Sequence, residues 1–594
     1  MFGMTTMERS GTPAWIAAER AEIEAEIEGT TLLTAYAETV AADGDAVAHR
    51  WPDGGEWRSL TYRQVHEQVR DLALGLGLLG FRPGEFAVIW SRNRSEATIA
   101  DYAVMHARGV PVFIYNTVSA EQAAYIAGHC EATVAIVEPE FLPKLLTVWD
   151  ELPKLRQVVL IDGEADRAIG WPQLLGLGHA EAERSPDLFG QTWRQVRPSD
   201  LATLIYTSGT TGQPKAVMLT HHSLRYYQLA LNRVLPFEEQ CDDDGRARVV
   251  SYLPMAHVTG RSVDHWGATA RPVTLAYCPD ALKLFEIAAQ VHPTGLIGVP
   301  RVWEKLYAAL RTALPDASPS AVRALPAAAR QAILTHVGLD QCRIATTGAA
   351  PIDPVIIEFF QALGLAISEG WGMSELSNAA TFAPPGRSRN GAVGKAFPGM
   401  EVRIADDGEI LVRGPLVMRG YYKDAERTAE ALDADGWLHT GDIGELDADG
   451  FLKITDRKKE LIITSGGKNI SPALIEYELQ RHPLIGQACA IGDRRNYVSA
   501  LIVLDPEVTP AWAAAQGIPA SSLAELASDP LVLAEVERGV DEANSHLARV
   551  EQVRRFRVLP NEWTAETGEL TPTLKRRRRV IADRYARDID QLYH

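Results

Sequence analysis

The stretch YTSGTTGQPK, residues 206–215, holds a tyrosine, four Ser/Thr hydroxyls, two glycines and a lysine in ten positions. That composition suits an anion. Glycines let backbone N–H groups approach closely, hydroxyls donate hydrogen bonds without adding charge, and a lysine brings one movable cation. The chemistry implied is phosphate binding, with a hydroxyl-rich turn as the plainer alternative. The stretch is not a Walker loop, which needs four residues between its glycine and its Gly-Lys pair and a Ser/Thr after the lysine. Here two residues separate Gly209 from Gly212, and Lys215 precedes Ala216. A second nucleotide signature, GLGLLG at 75–80, fails on context. A dinucleotide fingerprint follows a strand and opens a helix. VRDLALGLGLLGFRPGE instead reads as a helix ending at Gly80, with the strand-like EFAVIW after it. A third candidate, KRRRR at 575–579, taken alone is a solvated basic run.

The phosphate-suited stretch is flanked by two strand-like runs, LATLIY (201–206) and AVMLTH (216–221). Upstream, FAVIW (86–90), VPVFIY (110–115), ATVAIVE (132–138) and QVVLI (157–161) alternate with helix-like segments such as AEQAAYIAGHCEA (120–132). Short unbroken Val/Ile runs alternating with helices predict an α/β fold with largely parallel sheets buried on both faces. From about 390 the glycines and short alternating runs of GAVGKAFPGMEVRIADDGEILVRGPLVMRGYY predict a small all-β section. A shorter α/β pattern resumes after DRKKELI (456–462), and CDDDGRAR (241–248) reads as a solvated acidic loop.

At 594 residues the chain exceeds one core and predicts at least two domains. A net charge of −18 argues against a general nucleic-acid binder, whose affinity rests on a basic surface. No apolar run approaches the roughly 18 residues of a transmembrane helix. The N-terminal MFGMTTMERSGTPAW has neither a basic nor an apolar signal region, which argues against export. Five cysteines, Cys130, Cys241, Cys278, Cys342 and Cys489, lie without CxxC spacing and predict reduced thiols in a cytoplasmic protein, with no zinc site.

YTSGTTGQPK resembles the signature of the adenylate-forming superfamily, which comprises acyl-CoA synthetases, peptide-synthetase adenylation domains and luciferases. The family's other motifs have counterparts in order: SYLPMAHVTGR (251–261), TTGAAP (346–351), EGWGMSE (369–375), TGDIG (440–444), DRKKELIITSGGKNISP (456–472) and LTPTLKRRR (570–578). The resemblance spans about residues 30 to 580, and the first and last of these six motifs are most similar to bacterial long-chain fatty-acid–CoA ligases. It implies two doubly wound α/β subdomains and a small β-barrel (about 390–455) within residues 1–455. A hinge at 456–459 and a mobile C-terminal α/β lid, 460–594, would follow.

The resemblance also implies ATP, Mg²⁺ and CoA as ligands, and assigns each motif a task. Thr207, Ser208, Gly209, Thr210, Thr211, Gly212 and Lys215 would cradle the β- and γ-phosphates. Thr207 and Glu375 would hold Mg²⁺, a hard cation that keeps several waters. Gly348, Ala349, Glu369, Gly370, Trp371, Gly372, Met373 and Ser374 would line the adenine and α-phosphate. Trp371, where many relatives have tyrosine, keeps a flat ring for adenine and loses the phenol hydroxyl. Asp442 and Arg457 would meet the ribose, and His257 would line the acyl pocket or simply pack. Lys575 would bridge the carboxylate and the α-phosphate during adenylation, because two anions must meet there and catalysis is mostly charge neutralisation and positioning. Lid rotation about Lys459 would then withdraw Lys575 and present Gly466, Gly467 and Lys468 to the pantetheine of CoA. The remaining arginines of 576–579 are either surface residues or partners for the CoA phosphates.

The expected activity is ATP-dependent formation of a fatty acyl-AMP followed by transfer to CoA. The alternative is a ligase that loads a carrier protein. A nicotinamide oxidoreductase rests on GLGLLG alone, and a non-catalytic nucleotide binder would have lost chemistry that these residues retain. Expected partners are small molecules, with no nucleic acid and with room for peripheral membrane contact or a homodimer.

Overall fold

The runs FAVIW, VPVF, VAIV and QVVL become adjacent strands of one parallel sheet, ordered Val110–Phe113, Phe86–Trp90, Val134–Val137, Gln157–Leu160 and Ile169–Gly170. Every residue of the first three strands is buried, which is why they read as unbroken apolar runs and not as alternations. The computed structural model describes residues 12–594 except 208–212, 315, 351, 390, 459, 464–468, 520–521, 572–574 and the side chain of 263. Helix Ala120–His129 starts where Ser119 and Gln122 satisfy each other's backbone N–H groups in a capping box. Helix Tyr62–Leu78 starts the same way at Thr61, and GLGLLG forms its last turn and C-terminal exit. Gly80 takes φ +82°, and the strand Phe86–Trp90 follows. The decoy signature is therefore the end of a helix, as its context predicts.

The second sheet has nine strands. Its centre is parallel, from Ile367–Trp371 through Ile344–Thr347, Gly295–Ile297, Ala247–Ser251 and Val273–Tyr277 to Val47–Asp53. Its margins are antiparallel: Glu56–Thr61 at one edge, Thr381–Phe382 and Lys395–Ala396 at the other. Lys395–Ala396 thus belongs to this sheet, and the small β section proper runs from Glu401–Ile404 through Glu409–Arg413 and Leu438–Leu446 to Leu452–Arg457 as a four-stranded antiparallel sheet. Beyond it, a separate core gathers around Ile485–Ile491, Val498–Leu504 and Val553–Leu559, covered by helices Pro472–Gln480 and Pro530–His546. No helix among the described residues is long and apolar enough to cross a membrane.

The acidic loop is better organised than its composition suggests. Asp242 accepts the N–H groups of Asp244 and Arg246 and pairs with Arg248 at 2.5 Å. It folds the turn instead of merely solvating it.

Candidate functional site

The phosphate-suited stretch joins the two strands of an antiparallel pair, Leu201–Thr207 with Lys215–Thr220, and register sets Thr207 opposite Lys215. Residues 208–212, which include Ser208, Gly209, Thr210, Thr211 and Gly212, lie outside the described residues, as do Lys459, Gly466, Gly467 and Lys468. The pair gains a third, short partner. Arg419 N–H donates to Met218 O, Met218 N–H to Gly420 O, and Tyr422 N–H to Ala216 O, so residues 419–422 run antiparallel along the second strand.

EGWGMSE ends the strand Ile367–Trp371, paired in parallel with Ile344–Thr347 so that Glu369 lies beside Thr347. Carboxyl ends of adjacent parallel strands are where ligands bind in such sheets. Two glycines permit this corner. A Cβ on Gly348 would sit 2.8 Å from Gly370 O, and one on Gly372 would sit 2.3 Å from Asn378 O. Ala349, Ser377 and Asn378 all adopt positive φ, at 70°, 59° and 128°. Such conformations persist only where the surroundings over-determine them. Here Asn378 is held from both sides, by the Thr259 hydroxyl and by donation to Tyr227 Oη, each at 2.8 Å. Ser374 and Glu375 follow in a buried 3-10 turn, and Met373 packs against the main core. Burial raises the Glu369 carboxyl to about 7.

Glu375 is 7 % exposed, and its carboxylate is held by one oxygen: Tyr421 Oη donates to Oε1 at 2.7 Å. The Tyr421 ring in turn lies 4.5 Å beneath Lys215 Nζ. Among the described residues, no hydrogen bond or ion pair engages Oε2 of Glu375. One carboxylate oxygen left open beside the phosphate-suited stretch, to which Tyr421 and Lys215 link it, suits an ion that keeps most of its own waters, as Mg²⁺ does. No cluster of three or more His, Cys, Asp or Glu among the described residues offers a metal a cage of its own. The residues present therefore fit Mg²⁺.

Across the corner, Asp442 faces Arg457 in the register of Leu438–Leu446 and Leu452–Arg457. Its Oδ1 meets Arg457 Nε at 3.1 Å, and its Oδ2 accepts the Trp371 indole N–H at 2.8 Å. The tryptophan thus replaces the absent phenol with a donor of its own, aimed at the carboxylate. Sequence reasoning missed this contact, because only the fold brings residues 371 and 442 together.

His257 is half-buried. Its Nδ1 accepts the Thr259 N–H at 3.1 Å, so a neutral ring carries its proton on Nε2. Burial, then the Lys575 ammonium, push His257 down to about 4, which keeps it neutral. At the end of the same motif, Arg261 is fully buried, paired with Asp101 and donating to Thr203. That residue ties the two α/β halves together.

Lys575 comes from the C-terminal unit. Its side chain is exposed to water, with neighbouring protein crowding part of it. That crowding first, and Arg457 next, lower its ammonium from the ordinary lysine value, opposed by Asp442, Glu375 and Glu460. Its loop is closed by Thr571, whose hydroxyl accepts the Lys575 N–H at 3.0 Å and whose N–H donates to the Lys575 carbonyl at 2.8 Å. The neighbouring arginines have partners that the sequence reading did not foresee. Arg576 and Arg578 both pair with Glu476, which is 0 % exposed, at 2.9 and 2.7 Å, and Arg578 also reaches Glu460 at 3.1 Å. Arg577 donates to Gly568 O, and Arg579 stands at the surface. Two of the four, Arg576 and Arg578, therefore brace the buried Glu476.

The model of AMP-binding enzymes matches residues 36–422, and the model of the AMP-binding enzyme C-terminal domain matches 459–594. The chain belongs to the AMP-binding enzyme family. Within that family it is 36% identical over 583 residues to the long-chain-fatty-acid–CoA ligase FadD15 of Mycobacterium bovis, covering 93% of this chain and 95% of that one. It is 33% identical to the long-chain-fatty-acid–CoA ligase ACSBG2 of Xenopus laevis, over 95% and 84% of the two chains. Among solved structures, it shares its fold with the anthranilate CoA ligase AuaEII bound to anthranoyl-AMP (TM-score 0.73, 20% identity, 94% and 98% covered). O-succinylbenzoate CoA synthetase (MenE) of Bacillus subtilis, bound to ATP and magnesium, matches with a TM-score of 0.68 at 20% identity over 92% and 98%.

Proposed function

We propose that this chain is an AMP-forming long-chain fatty-acid–CoA ligase, which joins a fatty acid to the α-phosphate of ATP and then passes the acyl group to CoA. What supports the chemistry is the company of Lys575: one ammonium within the field of Glu375, Asp442, Arg457 and His257, on a unit separate from all four. What supports the substrate class is identity to long-chain ligases along nearly the whole chain.

In the first half-reaction the fatty-acid carboxylate oxygen attacks the α-phosphorus, and the bond to the β-phosphate oxygen breaks, releasing pyrophosphate. Lys575 neutralises the two approaching anions, the dominant need when charge must gather at one centre. Lys215 and the hydroxyls of 207–211 steady the leaving group. Glu375 and Thr207 would hold Mg²⁺, which when bound would supply further charge neutralisation at the phosphates. Trp371, Asp442 and Arg457 fix adenine and ribose, while neutral His257 presents its Nε2–H without repelling Lys575. In the second half-reaction the CoA sulfur attacks the acyl carbonyl, the mixed anhydride breaks, and AMP leaves. The lid, residues 460–594, turns about Lys459 so that Lys575 withdraws and 465–469 approach.

The test is Lys575→Ala with palmitate, following acyl-dependent pyrophosphate exchange and, separately, palmitoyl-CoA formation from supplied palmitoyl-AMP. The expected result is loss of exchange with retention of thioester synthesis. Intact exchange would remove Lys575 from the mechanism, and wild-type pyrophosphate release without acyl-CoA would move the acceptor from CoA to a carrier protein.

A further inference from the structure

Tyr421 stands at a junction that the family motifs leave without a task. It is 6 % exposed, and the segment carrying it is bonded along the strand that begins at Lys215, through the backbone pairs of residues 216, 218, 419, 420 and 422. The same segment grips Glu375 twice. The Met418 N–H donates to the Glu375 carbonyl at 2.8 Å, and the Tyr421 hydroxyl donates to Oε1 at 2.7 Å. On its other side the Tyr421 ring faces Lys215 Nζ at 4.5 Å. One aromatic residue therefore touches both the lysine of the phosphate-suited stretch and the carboxylate suited to Mg²⁺.

We infer that Tyr421 is a positioning residue that sets the metal-holding carboxylate and the phosphate lysine in fixed relation to one another. The inference rests on the adenylate-forming reading of the site. Each contact has a physical consequence that a different side chain would not provide. A phenol donating to one oxygen of Glu375 fixes the plane of the carboxylate and leaves the other oxygen for a cation, whereas a lysine or arginine there would neutralise the charge that attracts the metal. A ring face attracts the Lys215 ammonium by its quadrupole without taking or donating a proton, so the lysine keeps its positive charge. Because both contacts come from one rigid ring on a paired segment, the separation of the two charges is set before ATP arrives. The site is thereby pre-organised.

Two substitutions separate the contacts. Tyr421→Phe removes the hydroxyl and keeps the ring. Tyr421→Leu removes both. Binding is read without turnover, with fatty acid omitted. Manganese affinity in the presence of ATP is followed by electron paramagnetic resonance, and ATP affinity in EDTA by calorimetry. Tyr421→Phe is expected to weaken manganese about tenfold, the worth of one charge-assisted hydrogen bond, and to leave metal-free ATP affinity unchanged. Tyr421→Leu is expected to weaken both. Thioester formation from supplied acyl-AMP, which needs neither group, stays at wild-type rate in the phenylalanine variant. Wild-type manganese affinity in Tyr421→Phe overturns the inference. So does a variant whose lost affinity comes with a lowered melting temperature and a lost thioester step, since that marks a merely structural tyrosine. A wild-type protein that binds manganese and ATP as described yet makes no acyl-AMP would instead refute the proposed reaction, so the two failures are told apart.

Discussion

Replacing Trp371 with phenylalanine isolates one hydrogen bond. The indole N–H donates to Asp442 Oδ2 at 2.8 Å, in a place where Trp371 is 8 % and Asp442 5 % exposed. Phenylalanine keeps a flat ring and removes only the donor and part of the volume. A hydrogen bond to a buried charged group is worth about 1.5–3 kcal/mol, or roughly 10- to 150-fold in an equilibrium constant. Arg457, the other partner of Asp442, is 47 % exposed, so solvent screens it and it does not compensate fully. Each carboxylate oxygen retains a lone pair beyond its present partner, and in the proposed site those lone pairs would meet the ribose hydroxyls. Without the indole the carboxylate rotates, and ribose recognition suffers before adenine stacking does. The assay is pyrophosphate exchange with ATP and with 3′-deoxy-ATP. KM for ATP should rise about tenfold, the lower end because water can enter, while KM for the deoxy analogue rises much less. The ratio between the two nucleotides is the decisive quantity. If both KM values rise together, Trp371 contributes stacking alone and the positioning argument is wrong.

Two ion pairs, Arg301 with Asp505 and Lys305 with Glu507, both at 3.1 Å, join helix Pro300–Ala313 to the C-terminal unit in the arrangement that brings Lys575 to the site. The double variant Arg301→Glu, Lys305→Glu should slow adenylation about 2- to 5-fold, as surface pairs warrant, with the deficit shrinking in 0.5 M KCl and thioester synthesis from acyl-AMP spared. An equal loss in both half-reactions would contradict this. Acid should destabilise the fold: burial lowers His49 and His106 to about 3 and His221 to about 4. These histidines protonate more readily when unfolded, so the stability they contribute is complete above pH 6.5 and is lost as pH falls toward 4. At pH 5.5 the three together cost about 4 kcal/mol relative to pH 7.5, a large part of a domain's margin, and urea unfolding at the two pH values measures it. An unchanged unfolding midpoint would show that these rings are not buried neutral.

The strands FAVIW, VAIV and QVVL were legible because a strand buried on both faces writes its burial directly as an apolar run. GLGLLG was legible as helix because the strand needed before it comes after it. The antiparallel margins of the nine-stranded sheet were not legible. Glu56–Thr61 and Lys395–Ala396 are short edge pieces, half of their residues exposed and none buried, so neither writes an apolar run or a clean alternation into the sequence. At the site, motif residues could be named, but the atoms that orient them could not. Tyr421 on Glu375, the Trp371 indole on Asp442, and Glu476 beneath Arg576 and Arg578 are contacts between segments 46, 71 and about 100 residues apart. A basic run in a single sequence says nothing of a buried glutamate that consumes two of its charges.

The distribution of ion pairs around the C-terminal unit bears on how easily it turns. The arginines that brace the Lys575 loop bind Glu476 and Glu460, all within residues 460–594, so the brace travels intact with the proposed rotation. Among the described residues, the pairs that would have to part lie at the joint, and each has at least one partner well exposed: Arg301 at 52 %, Lys305 at 43 % with Glu507 at 71 %, Arg481 at 39 % opposite Asp353. Breaking a buried pair takes about 3–5 kcal/mol, whereas an exposed one takes no more than about 1 kcal/mol, because water replaces the partner at once. Charges that would resist separation are carried as cargo, and those left along the seam are the ones solvent already lubricates. The proposed swing would therefore meet little resistance, and Lys575 would travel together with its brace.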